Sequence, residues 1–177
     1  MKLSKYIEMC DILEDENLSE IDKQIEIISL VYALDVEEIE AMSLSEYNKY
    51  SSKLMELTNI KKVRPQDKYI INNREYHPIL NAVDINVAQY IDYNNYLKME
   101  NRLDKIVGVL SVFMIPKGKE YGEYDIEEVK NDIKDMAVGE VYGLADFFLL
   151  YSKELINNTL TSLEKKVKKM KKKMKQK

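Results

Sequence analysis

Apolar residues recur at helical spacing over most of this chain, and that spacing predicts most of its elements. Leu3, Tyr6, Ile7, Cys10 and Leu13 share one face of a first helix, which the acidic run Glu14-Asp15-Glu16 ends. Ser19, with Asp22 three residues on, resembles a capping box in which the shorter Asp stands in for Glu or Gln. It opens a second helix carrying Ile21, Ile25, Ile28, Val31, Tyr32 and Leu34. A third follows from Val36 to Met42. Ser45 is read as the cap of a fourth, in which Tyr47, Tyr50, Leu54 and Leu57 form one stripe.

The pattern changes after Asn59. Pro65 disfavours helix at Arg64 before it. Lys68-Tyr-Ile-Ile, Asn72-Asn73 and Arg74-Glu-Tyr-His then read as a short hairpin, since Asn tolerates the positive φ of a tight turn. Such a hairpin is marginal alone and must pack on helices. Helices resume at Asp84. One carries Val87, Ala88, Ile91 and Leu97 as its apolar positions, and the next carries Leu103, Ile106, Val107, Leu110 and Phe113. Pro116, Gly118 and Gly122 mark a loop, and a helix follows from Asp125 to about Met136. The most apolar stretch, Val138 through Tyr151, is placed at the centre of the core. Phe147, Phe148, Leu150, Ile106, Leu110 and Ile28 are expected to be buried together. The reading is mainly α: a helical domain with one small β-hairpin and a long C-terminal helix. It divides into an N-terminal helical segment (1–60), hairpin and linker (61–83), helical core (84–158) and basic helical tail (159–177).

The last of these carries the most unusual pattern. Ile156, Leu160, Leu163, Val167, Met170 and Met174 are spaced 4, 3, 4, 3 and 4, the seam of a coiled coil. Nine like charges within fourteen residues favour an extended chain. Against that, the stripe keeps register through the lysines, whose charge suits a helix C-terminus and whose stems can lie on apolar surface. One helix is therefore expected from about Ala145 into the lysine run. Leu160, Leu163, Val167, Met170 and Met174 would meet a partner or sister subunit. Lys165, Lys166, Lys168, Lys169, Lys171, Lys172, Lys173 and Lys175 would meet an acidic surface or nucleic acid.

Charge sharpens this picture. Residues 164–177 hold nine Lys and one Glu, whereas residues 1–163 hold 18 basic and 30 acidic groups. An acidic body with a basic tail is the arrangement of an interaction tail. Among the 177 residues Lys (24), Ile (18), Tyr (13) and Asn (13) dominate while Arg numbers 3, which points to AT-rich coding. No apolar run approaches the ~20 residues of a membrane span, the longest candidate being Ile106 to Ile115. No signal-peptide core opens the chain, so the protein is expected to stay in the compartment where it is made.

Candidate chemistry is sparse. His77 is the only histidine, which excludes sites needing two, and its place is on the hairpin beside Pro78. Cys10 is the only cysteine and reads as a buried small hydrophobe. Adjacent carboxylates such as Glu37, Glu38 and Glu40 read as solvated helix faces. Five glycines include no phosphate-cradling loop. Tyr90, Tyr93 and Tyr96 lack the basic neighbours of a base-stacking groove and read as a half-buried face. Gly139-x-x-x-Gly143 could let another helix approach closely. No enzymatic activity, metal or cofactor is expected.

The order of elements carries a resemblance. It runs through Ile21-Asp-Lys-Gln-Ile-Glu-Ile-Ile-Ser-Leu-Val-Tyr-Ala-Leu, Val36-Glu-Glu-Ile-Glu-Ala-Met, Leu44-Ser-Glu-Tyr-Asn-Lys-Tyr, the hairpin and Val87-Ala-Gln-Tyr-Ile-Asp. In this order the chain, over about residues 17–155, resembles tail assembly chaperone-like and small tail-region structural proteins of tailed bacteriophages, those of crAss-like phages above all. The lysine tail lies outside that pattern. The resemblance implies a non-catalytic protein acting in the host cytoplasm during assembly or in the virion, as a chaperone or a ring subunit. Its partners would be other phage structural proteins or further copies of itself. The alternative from the residues themselves is a nucleic-acid-associated or packaged protein that binds through its lysines.

Overall fold

The structure, a computed structural model, describes residues 1–57, 60–81 and 84–148. Four helices open the chain: α1 (Leu3–Glu14), α2 (Glu20–Tyr32), α3 (Val36–Glu40) and α4 (Leu44–Leu57). A hairpin of β1 (Tyr69–Ile71) and β2 (Arg74–Pro78) follows, then α5 (Val87–Leu97), α6 (Arg102–Phe113), β3 (Met114–Pro116) and α7 (Ile126–Asp135). Residues 138–148 form α8. The protein is mainly helical, with one small antiparallel sheet.

Local chemistry sets several boundaries. At the start of α2, Ser19 and Asp22 make the expected capping box, each accepting from the other's backbone N–H. Asn86 and Gln89 do the same for α5. In α4 the cap is Ser43, whose hydroxyl accepts from Glu46 N–H at 3.3 Å. Ser45 lies one residue inside that helix, because a cap oxygen reaches the N–H two or three residues ahead of it. The hairpin forms where expected. Asn72 and Asn73 take φ of 48° and 63°, and Ile71 pairs with Arg74 across them.

The third strand was not expected. It pairs antiparallel with β2, Tyr76 opposite Pro116 and Pro78 opposite Met114, in the order β1-β2-β3. Met114 serves as both the C-cap of α6 and the first strand residue, so no turn residue announces the change.

The centre of the core falls on α6. Every residue from Ile106 to Phe113 is buried, as a helix surrounded on all sides must be. Around it gather Tyr76 of the sheet, Tyr93 of α5, Val129 and Ile133 of α7, and Val141, Leu144 and Phe148 of α8. Phe113 stacks on Phe148 with ring centroids 4.1 Å apart, and Tyr93 meets Phe113 edge-on at 5.6 Å. Of the residues expected to be buried together, Ile106, Leu110 and Phe148 are in this cluster. Phe147 is only partly buried against it. Ile28 is fully buried, but outside this cluster, on a helix that packs with α1, α3 and α4. Leu150 lies outside the described residues.

Two closures hold distant segments together. Leu3 N–H donates to Met136 O at 2.8 Å, and Val138 N–H donates to Met1 O at 3.0 Å. The first residues are thereby clasped to the junction of α7 and α8. The second closure uses Gly139 and Gly143 of α8. What approaches them is not a helix but the irregular segment 60–65. A Cβ on Gly139 would lie 2.4 Å from the Lys61 carbonyl oxygen, and one on Gly143 would lie 1.8 Å from that of Val63. Val63 N–H donates to Gly139 O at 3.0 Å, and Lys62 pairs with Asp146 beside it. The glycines thus admit backbone where any side chain would collide. The C-terminal helix begins at residue 138, not at about Ala145, since Val138 and Val141 already face the core. Its expected continuation beyond 148 lies outside the described residues.

Candidate functional site

Two features stand out as candidates, a buried polar cluster and an exposed apolar helix face. The cluster centres on Asp132, which lies between Val129 and Ile133 on the buried face of α7. Its carboxylate accepts from the Tyr76 hydroxyl at 2.5 Å and from Asn72 Nδ2 at 2.9 Å. Arg74 reaches it at 3.5 Å while pairing with Glu128 at 2.9 Å. Asn72 Nδ2 also donates to Asp135 at 2.9 Å, which Lys2 holds at 2.7 Å. Lys2 and Asn72 hold the Asp135 carboxyl below its usual range. Asp132 is 4% exposed and bonded on both oxygens. This arrangement ties the hairpin to α7, and its inward carboxylate is committed to structure. Next to it, Lys2, Lys68, Ile70, Asn72, Asp135 and Glu140 line a cleft of about 450 Å³.

The second feature is α5, in which Val87, Ala88 and Ile91, read as apolar-face positions, turn outward while Leu97 of the same reading packs on the core. Gln89 and Tyr93 are its buried residues, while Val87, Tyr90 and Ile91 are 75%, 43% and 53% exposed. The cap explains the inversion. Gln89 bonds the Asn86 backbone N–H through Oε1, while its Nε2 donates to the Val112 carbonyl at 3.0 Å. A buried amide with both ends satisfied fixes which face turns inward. On the inner side, the Tyr96 ring lies so close to Gly108 that a Cβ there would be 2.2 Å from it. Val87, Ala88, Tyr90 and Ile91 are left as a contiguous apolar stripe on a locked helix. A stripe of this kind marks an interaction surface more often than a scattered exposed leucine does.

The remaining candidates fall elsewhere. His77 sits on β2, about half exposed, with Nε2 2.9 Å from Glu75, which also holds Lys117. Of the described residues it is Glu75 alone that bonds the His77 ring. Cys10 is half-buried, and its thiol is pushed up by desolvation despite help from Tyr6 and Arg102 in the other direction. Tyr93 is buried, Tyr96 half-buried and Tyr90 exposed. No group of three or more metal-ligating side chains is placed to hold an ion among the described residues, and none of their helices is long and apolar enough to cross a membrane. Leu160, Leu163, Val167, Met170, Met174 and the tail lysines lie outside the described residues.

Several tyrosines make the protein sensitive to alkali. Burial pushes Tyr124 from 10.0 up to about 12, and burial first of all also raises Tyr6, Tyr76 and Tyr121. A group whose folded pKa lies above its unfolded value stabilises the fold fully below the unfolded value. That stabilisation is lost as pH rises through the folded one. Between about neutral pH and pH 10 the tyrosines should therefore leave unfolding midpoints in urea unchanged, with a fall from there through 12 and beyond, and Tyr124→Phe should soften the first part of that fall. A midpoint unchanged across this window would contradict the burial of these hydroxyls.

Comparison with protein-family models, with characterised proteins and with solved structures finds no match to this chain.

Proposed function

We propose that this chain is a non-enzymatic binding protein that acts in the morphogenesis of a tailed bacteriophage. It serves there as a tail assembly chaperone or as a subunit of a tail or head–tail ring. The observation that carries the binding role is the outward apolar stripe Val87, Tyr90, Ile91 on a helix whose orientation is fixed by Gln89. A surface helix normally turns its apolar face to the core. Turning it to solvent on a rigid element has a use when another macromolecule covers it. The phage setting rests on the sequence resemblance, and the acidic body with its lysine tail supports an assembly role.

The test is affinity purification of the full chain from infected cells in parallel with mass spectrometry of purified virions. A ring subunit appears in virions at fixed copy number. A chaperone is missing from them and is recovered with unassembled tail proteins. Recovery of no phage structural protein in either sample overturns the proposal. A second reading, association with nucleic acid, is favoured by the nine lysines of 164–177 alone. Binding through several phosphates weakens by orders of magnitude between low and moderate salt, whereas an apolar interface hardly changes.

A further inference from the structure

The sheet order β1-β2-β3 leaves β1 at an edge. Which of its peptide groups face outward follows from the pairing on the far side of β2. Lys117 N–H donates to Glu75 O at 2.8 Å, so Glu75 turns its backbone bonds toward β3. Backbone groups alternate sides along a strand, so Arg74 and Tyr76 turn theirs toward β1, where they meet Ile71 and Tyr69. Ile70, opposite Glu75, therefore points both its N–H and its C=O away from β2. Neither group has a hydrogen bond among the described residues. The cleft of about 450 Å³ runs along this edge: every residue of β1 lines it and none of β2 does. Its other lining comes from Lys2 and from the junction of α7 and α8, including Ala137 and Glu140. At one end Asn72 donates to Asp135 at 2.9 Å and joins the two sides. Exposed edges are commonly blunted by a charge or a proline, yet the residue at the middle of this one is an isoleucine, 69% exposed.

We propose that this cleft receives an extended segment of a protein partner, which adds to the sheet beside β1 and bonds the free N–H and C=O of Ile70. The partner residue opposite Ile70 lies next to that isoleucine on the outer face of the sheet, so an apolar side chain fits there. Its two neighbours turn the other way, as Tyr69 and Ile71 do, toward the floor of the cleft. A single strand matches the slot. A second copy of the sheet would bring its own Lys2–Ala137 side against this one. The proposal goes beyond the binding role above and rests on neither the α5 stripe nor the phage setting.

Amide hydrogen exchange of the full chain, read residue by residue by NMR, is the first test. The Tyr69 and Ile71 amides should be protected and the Ile70 amide between them should exchange fast. A protected Ile70 amide overturns the proposal. The second test supplies a strand. Because Lys2 lines the cleft, the start of the chain can carry one: Thr-Val-Ile-Val-Thr, joined to Met1 through about ten Gly and Ser residues. Exchange at Ile70 should then slow by roughly tenfold or more. The same extension with its Val and Ile residues changed to Pro, which has no N–H to donate, should leave Ile70 as it was. No slowing, equal slowing with the proline extension, or slowing that grows with protein concentration, the sign of pairing between copies, would each overturn the proposal. None of these outcomes touches the phage setting, which the virion and purification experiments judge.

Discussion

Gly143→Ala is expected to lower the free energy of unfolding by roughly 3 kcal/mol, read from urea denaturation of the full chain. The sign is what makes the experiment informative. Exchanging glycine for alanine inside a helix ordinarily stabilises it by about 1 kcal/mol, because glycine has more backbone freedom to lose. Here the new Cβ would lie 1.8 Å from the Val63 carbonyl oxygen, and a backbone atom cannot swing aside as a side-chain tip can. Segment 60–65 would have to lift from α8, breaking the bond from Val63 N–H to Gly139 O and the Lys62–Asp146 pair. A stabilised Gly143→Ala protein would show that this segment does not cross α8.

Asp132→Ala should cost about as much, near 3 kcal/mol, because it strands the buried Tyr76 hydroxyl and takes from Asn72 and Arg74 an acceptor that joins hairpin to helix. The Tyr76 hydroxyl is buried and directed at that carboxylate, and Asn72 and Arg74 converge on it from the hairpin. Arg74 is about half exposed and keeps Glu128, so solvent limits what its side of the cluster contributes. A double-mutant cycle with Tyr76→Phe isolates the Tyr–Asp bond, and a coupling of about 1 kcal/mol or more is expected. Additive losses would mean that the hydroxyl and carboxylate do not act on one another.

Helix positions and the hairpin turn were legible because each is written in local chemistry. Ser19 with Asp22 and Asn72 with Asn73 act within a few residues of themselves. What escaped was set by contacts between distant residues. The stretch Met114-Ile-Pro is too short for a strand signature, and only β2 alongside makes it one. The spacing of Val87, Ala88 and Ile91 identified a helix correctly but not its inner face. Gln89 holds that face through a carbonyl twenty-three residues away. Gly139 and Gly143 were recognised as a site of close approach, yet helical spacing cannot say whether helix or irregular backbone comes near. Asp132 could have been found, since it falls three residues after Val129 and one before Ile133 on an apolar face. As for the candidate site, the α5 stripe appeared in the sequence only as core, and the tail residues chosen for binding lie outside the described residues.

The clasp between Met1–Leu3 and Met136–Val138 also sets an order of events during synthesis. At roughly 5–20 residues per second, the ribosome adds residue 138 about 7 to 27 s after residue 3. During that interval α1 has no access to the backbone groups that finally hold its start, and Leu3, fully buried in the finished protein, has no pocket. The N-terminal helices must wait in a provisional arrangement, and closure joins two segments whose synthesis that interval separates.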